Sequence, residues 1–252
     1  MRIEARDIHV RRGANPVLSG VSADFAAGEL VVLAGPNGAG KSTLLETLSG
    51  ELTPAGGEIR LDGQPLGTLS LEARARLRAV LPQRAGVAFD FTVRQVAEMG
   101  LHPHGISAAA PLGRQLVEQA IHDMDLARLA DRPVTRLSGG EQQRAHIART
   151  LVQARGMERP LMLLDEPTSG LDYRHQYALA DVLRNAAQAG ATVIVSLHDL
   201  SLAARMAHRL LLLDSGRITA DGPPADLLTT ARIATLYGLD TQSAEGLVPR
   251  AA

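Results

Sequence analysis

Leu30-Val31-Val32-Leu33-Ala34-Gly35-Pro36-Asn37-Gly38-Ala39-Gly40-Lys41-Ser42-Thr43-Leu44-Leu45 is the stretch on which the reading of this 252-residue chain turns. Its first five residues are apolar without alternation, the pattern of a strand buried on both faces in a parallel sheet. Gly35 to Ser42 then fits G-x-x-x-x-G-K-S, and Thr43-Leu44-Leu45 opens a helix. Glycines let the backbone curl until its N–H groups point inward at a β-phosphate. Lys41 can reach the β- and γ-oxygens, Ser42 can ligate Mg²⁺, and the helix starting there presents its positive dipole end. Gly35, Pro36, Asn37, Gly38, Ala39, Gly40, Lys41, Ser42 and Thr43 are therefore the expected polyphosphate-binding segment.

Two further apolar runs, Leu161-Met162-Leu163-Leu164 and Thr192-Val193-Ile194-Val195-Ser196-Leu197, read as partner strands. Strands separated by helices indicate an α/β fold. The first run ends in Asp165-Glu166-Pro167, two adjacent carboxylates at the strand's C-terminal edge, where ligands bind in such sheets. Adjacent residues point different ways, so Asp165 is placed to hold Mg²⁺, directly or through water, and Glu166 to address a water near a γ-phosphate. Residues 2 to 10 and 16 to 25 alternate apolar and polar around Arg12-Gly13-Ala14-Asn15, which predicts antiparallel strands. From about Val87 to Gly156 the period becomes helical, with Val93, Val96 and Ala97, then Leu116, Val117, Ala120, Ile121 and Met124, on repeating faces. The stretch from Pro103 to Pro111 reads as a loop of this insertion.

Composition narrows the function classes. Lys and Arg number 26 against 27 Asp and Glu, a net charge of −1, so no global attraction to nucleic acid is expected. Aromatics make up 2% of the chain, too few for a base-stacking platform. The absence of Cys removes disulfides, thiolate zinc sites, iron–sulfur clusters and cysteine nucleophiles. No run approaches the length of a membrane-spanning helix, and Met1-Arg2-Ile3-Glu4-Ala5-Arg6 lacks a signal peptide's apolar region, so a chain facing the cytosol is expected. Leu247-Val248-Pro249-Arg250 resembles a protease site used in cleavable tags, without the Gly-Ser that usually follows, and is left out of the fold argument.

Leu137-Ser138-Gly139-Gly140-Glu141-Gln142-Gln143-Arg144 stands before a predicted helix, upstream of Asp165. A Ser and two glycines at a helix start form a second anion-binding end. With this segment the chain resembles the ATP-binding subunits of ABC transporters. That resemblance implies that Ser138, Gly139 and Gly140 meet ATP held by the phosphate loop of another copy. It also implies a Q-loop role for Gln83, in Val80-Leu81-Pro82-Gln83, which reaches Mg²⁺ and the attacking water and couples to the membrane partner. Asp172, in Ser169-Gly170-Leu171-Asp172, matches the D-loop across the dimer, and His198 the switch histidine on the γ-phosphate. Six motifs thus stand in order between Gly35 and Asp199. The implied fold is an α/β P-loop NTPase of ABC type, with a mainly parallel central sheet, an N-terminal antiparallel β subdomain and an inserted helical subdomain. As one domain, 1–252, it would divide into a nucleotide-binding core of 1–86 and 157–240, a helical subdomain of 87–156 and a tail of 241–252.

A narrower resemblance rests on Phe89-Asp90-Phe91-Thr92-Val93 and Met99-Gly100-Leu101-His102-Pro103-His104-Gly105, which are similar to the importers of vitamin B12, iron siderophores and haem. Asp172-Tyr173-Arg174-His175-Gln176 and Leu197-His198-Asp199-Leu200-Ser201-Leu202-Ala203 are most similar to the haem branch, although many relatives carry Arg where Leu101 stands. The resemblance implies ATP and Mg²⁺ as cofactors, a head-to-tail homodimer, and two membrane-spanning permease subunits. A periplasmic substrate-binding protein would act indirectly, and the subunit would sit peripherally on the cytoplasmic face of the bacterial inner membrane. Haem is expected to pass through the membrane subunits without binding this chain, and His102-Pro103-His104 reads as a surface loop. Siderophore or B12 cargo and a soluble assembly ATPase remain as alternatives. The aromatic that usually stacks on adenine is missing, since Val10 holds its position, so Val10 with Arg11 or Arg12 is expected to pack on the base. Phe89, Phe91 and Met99 fit either a docking groove for a membrane-subunit helix or a core stripe.

Overall fold

The computed structural model describes residues 1–83 and 89–249. The expected subdomain boundary at 86/87 and the terminal residues 250–252 lie outside them. Two sheets organise the rest. β1 (Ile3–Arg12) and β2 (Asn15–Phe25) form the predicted hairpin, turning at Gly13-Ala14, and β4 (Gly56–Leu61) and β5 (Gln64–Pro65) complete an antiparallel sheet in the order β2-β1-β4-β5. Ile3 and Ala5 are buried on odd positions and Ile8 and Val10 on even ones. A register shift between Ala5 and Ile8, with Asp7 at φ +50°, moves the inward face by one residue.

The central sheet runs β10-β9-β3-β8-β7-β6, from β3 (Leu30–Ala34), β6 (Arg78–Leu81), β7 (Leu161–Asp165), β8 (Thr192–Ser196), β9 (Arg209–Asp214) and β10 (Arg217–Gly222). All its pairings are parallel except that of β9 with β10. The unbroken apolar runs have a two-sided cause. Val31, Leu33, Leu161, Leu163 and Ile194 face the antiparallel sheet and α1 (Lys41–Ser49), whereas Leu30, Val32, Met162, Leu164, Val193 and Val195 face the other helices. Period two divides each strand between two cores, and both faces must be apolar.

Between β6 and β7 lie α3 (Val93–Glu98), α4 (Pro111–Asp123) and α5 (Gly139–Arg155), with the short α2 (Leu71–Ala75) ahead of β6. The stretch expected as a loop from Pro103 to Pro111 is more ordered than that. Pro103 lies inside a 3₁₀ turn, Met99–His104, and Pro111 occupies the first position of α4, where its missing N–H costs nothing. His104 is pinned too, its Nε2 donating to the Gln153 carbonyl at 3.0 Å. α6 (Tyr173–Gln188) joins β7 to β8, and beyond β8 come α7 (Leu200–Met206), α8 (Pro224–Leu227), α9 (Thr230–Tyr237) and α10 (Thr241–Glu245). The expected tail therefore begins as a helix, with Ala244 fully buried in the core. Among the described residues no helix is long and apolar enough to cross a membrane. Because β3, β6, β7 and β8 are parallel, the segments carrying Gly35, Gln83, Glu166 and His198 all leave the same edge of the sheet.

Candidate functional site

The segment after β3 holds its shape by close backbone approach. Gly35 has φ +145°, and a Cβ there would stand 2.0 Å from the Leu213 carbonyl oxygen, so no other residue fits. Gly40 caps α1 without a side chain, and the first turn carries no carboxylate. The N–H groups of Lys41, Ser42 and Thr43 have no partner within the helix and are left for an anion. Lys41 is 5% exposed and donates to the carbonyls of Gly35 at 2.7 Å and Pro36 at 3.0 Å. Burial lowers the pKa of its ammonium, opposed by the carboxylates of Glu166 and Asp165.

A cleft of about 600 Å³ opens over this loop, lined by Asn37, Gly38, Ala39, Gly40, Ser42 and Thr43 and, from other segments, by Gln83, Glu166 and His198. An adjoining cleft of about 260 Å³ shares Ser42 and Gln83 and adds Asp165. Asp165 is 6% exposed and accepts from the Ser196 hydroxyl. The Glu166 backbone sits in the left-handed region at φ +46°, a strain held by its N–H donating to Ser196 Oγ at 2.8 Å. Its side chain turns to His198, whose Nε2 lies 2.6 Å from Oε1. Ser196 thus fixes both carboxylate residues, a role that sequence reasoning missed because a serine ending a strand carries no spacing signature.

Ser138, Gly139, Gly140 and Asp172 do not line these clefts. Ser138 caps α5 in a capping box, its hydroxyl 2.8 Å from Glu141 Oε2, and Asp172 caps α6, accepting from the His175 N–H at 2.9 Å. Both are exposed, and the two segments touch: a Cβ on Gly140 would lie 2.6 Å from the Gly170 carbonyl oxygen. The glycine thus lets α5 start against the turn that precedes Asp172.

The adenine expectation needs correction. Val10 is 1% exposed, turned into the core by the strand's alternation, and Arg11 is occupied with the Ala14 carbonyl. Arg12, the remaining residue expected there, does line the cleft, together with Val17, and its Nη2 lies 2.6 Å from Glu46 Oε2. Phe89 is 71% exposed and meets Phe91 edge-on at 6.2 Å, while Phe91 and Met99 are half-buried and Phe91 packs on the core.

The ABC transporter family model matches residues 18–169. The hemin import ATP-binding protein HmuV of Bordetella avium is 46% identical over 248 residues, covering 95% of this chain and 93% of that protein. That of Nocardia farcinica is 47% identical over 240 residues, covering 93% and 82% respectively. Among solved structures, an ATP-binding subunit of an ABC transporter superposes with a TM-score of 0.78 at 26% identity, covering 98% of both chains. A bacterial Atm1-family ABC exporter with ATP bound gives 0.78 at 30% identity, covering 90% of this chain and 40% of the exporter.

Proposed function

The chain belongs to the ABC transporter family, and from that premise we infer that it is the ATP-hydrolysing motor subunit of a bacterial importer of haem. The observation that carries the hydrolytic part is the single cleft in which the loop from Asn37 to Thr43 meets Gln83, Glu166 and His198. The haem assignment rests on relatives of nearly full length that carry hemin import in their names.

ATP fits the cleft with its phosphates on the free N–H groups of α1 and on Lys41, which exchanges its carbonyl partners for phosphate oxygens. Arg12 and Val17 line the side available to the base. Ser42, Gln83 and Asp165 present hydroxyl, amide and carboxylate oxygens to one small cleft, a donor set that suits Mg²⁺. The bound metal would neutralise charge on the phosphate oxygens. Glu166 takes a proton from the water that attacks the γ-phosphorus, the bond to the bridging oxygen breaks, and ADP and phosphate leave. His198 holds the Glu166 carboxylate in place and stands where a γ-phosphate would end. Ser138, Gly139, Gly140 and Asp172, all away from their own chain's cleft and all but the half-buried Gly140 exposed, act on the nucleotide of a second copy in a head-to-tail dimer. Loss of the γ-phosphate then shifts a closed–open equilibrium, which drives two membrane-spanning subunits. The chain sits as a peripheral subunit on the cytoplasmic face of the inner membrane, with the exposed Phe89 beside α3 facing those subunits. A periplasmic binding protein delivers the cargo from the other side.

The test is co-expression with the membrane subunits and ATPase assay of the purified complex in proteoliposomes. Haem loaded on the binding protein should stimulate turnover, and Phe89→Glu should weaken membrane association. Stimulation by a ferric siderophore or a corrinoid alone would overturn the cargo assignment. Failure to co-purify would favour a soluble assembly ATPase.

A further inference from the structure

We propose that His175 is a positioning residue that locks Asp172 to the helical insertion, so that Ser138 and Asp172 move as one body onto the partner's nucleotide. An N-cap needs only one bond, and Asp172 Oδ1 already has the His175 N–H at 2.9 Å. The same oxygen also accepts from the His175 ring, with Nδ1 at 2.8 Å. That second bond aims the far side of the ring out of α6, and Nε2 comes to 3.5 Å from Asp125 Oδ2. Nε2 is shielded from solvent and has no hydrogen-bond partner among the described residues. The ring therefore stands between two carboxylates, Asp172 on one side and Asp125 on the other.

Asp125 belongs to the insertion, in the turn that ends α4, where it adopts φ +52°. That turn is fastened to α5 by Arg144, 8% exposed, whose Nη1 donates to the carbonyls of Met124 at 2.7 Å and Asp125 at 2.9 Å. Arg144 stands in the second turn of the helix that Ser138 caps. A continuous path therefore runs from Ser138 through α5, Arg144, Asp125 and His175 to Asp172. A second, independent tie lies nearby, since Gln143 Nε2 donates to the Pro167 carbonyl at 3.4 Å and Gly140 abuts Gly170. The charged groups around the ring are Asp172 and Arg174 on α6, Asp125 on the turn, and Arg144 on α5. Arg174 is 80% exposed and lies 3.6 Å from Asp125, a contact open to solvent. The shielded His175 ring joins Asp172 itself to the insertion.

This rests on the head-to-tail reading above, and the experiment separates the two. His175→Ala in the full chain should lower kcat about 5-fold, the scale of one polar side-chain contact near the surface, with KM for ATP and Tm unchanged because the backbone cap survives. Asp125→Asn, which tolerates the left-handed backbone, should give the same loss, and the double variant should fall no further. His175→Gln, whose amide reaches toward Asp125, should recover part of kcat. Wild-type kcat in His175→Ala, a loss confined to KM, or losses that multiply would each overturn the proposal. An absence of any ATP-dependent dimer in Glu166→Gln would instead overturn the head-to-tail reading itself.

Discussion

Glu166→Gln tests the division of labour between the two carboxylates most directly. Glu166 occupies the left-handed region with its N–H on Ser196 Oγ and its Oε1 on His198 Nε2. Glutamine has the same shape and keeps an oxygen for the His198 contact, so the backbone strain and the cleft geometry carry over. It cannot accept a proton from water as a carboxylate does. A positioned base contributes roughly 10²–10⁴-fold, which corresponds to about 3–5 kcal/mol of barrier. Hydrolysis should fall by that factor, while ATP affinity stays within about 3-fold, about 0.6 kcal/mol. Asp165→Asn changes a different quantity. Its carboxylate is buried and bonded by Ser196, and neutralising it removes charge beside the proposed metal site, so nucleotide affinity and turnover fall together. Size-exclusion chromatography with ATP and Mg²⁺ separates the cases: a lasting dimer for Glu166→Gln and much less for Asp165→Asn. Wild-type turnover in Glu166→Gln would refute Glu166 as the base, and equal trapping by both variants would refute the assignment of roles.

Lys41→Ala removes the ammonium that would bond two phosphate oxygens, and at about 1.5 kcal/mol each kcat/KM should drop on the order of 100-fold; near-normal hydrolysis would remove the loop as the phosphate site. Ser138→Arg should leave nucleotide binding by the single chain intact while blocking the ATP-dependent dimer, at a capping cost of about 1 kcal/mol visible in Tm; a variant that dimerises and hydrolyses normally would defeat the head-to-tail arrangement. His146, buried in α5, has its pKa lowered to about 4 by burial, with Arg149 adding repulsion. The unfolded chain binds more protons than the folded one between the ordinary histidine value and that lowered one. Stability is therefore full above about pH 6.5 and falls by about 2 kcal/mol on going from about pH 7 to about pH 5. Urea titrations should show that this increment is missing from His146→Leu, and an unchanged acid response would rule His146 out as its source.

Much of the architecture was legible where burial leaves a pattern. β3, β7 and β8 announced themselves because both faces enter a core, and the β1–β2 hairpin because one face does. The Leu210–Leu213 run of β9 carries the same signal as β3, whereas β10, an exposed edge strand, has no apolar run. Motif residues were legible through spacing, since glycine, lysine and carboxylates recur at intervals set by phosphate chemistry. What spacing does not encode is contact across the sheet, and so Ser196 was missed. Val10 was a different matter. The alternation of Ile8 and Val10 turns it inward, and of the three residues expected on the base it is Arg12 that lines the cleft, beside Val17 of β2.

The bonds around Ser196 close into a ring: its hydroxyl reaches Asp165 and the Glu166 N–H, the chain runs on two residues to His198, and His198 returns to Glu166. Every contact in this circuit is made by the chain's own residues. A carboxylate oriented in advance spends none of a ligand's binding energy on finding its place, so under the role proposed for Glu166 the field at the reacting phosphorus would be built during folding and not during turnover. Ser196→Ala should therefore leave every motif residue present and yet slow the chemistry, because what it removes is the advance arrangement of the other three.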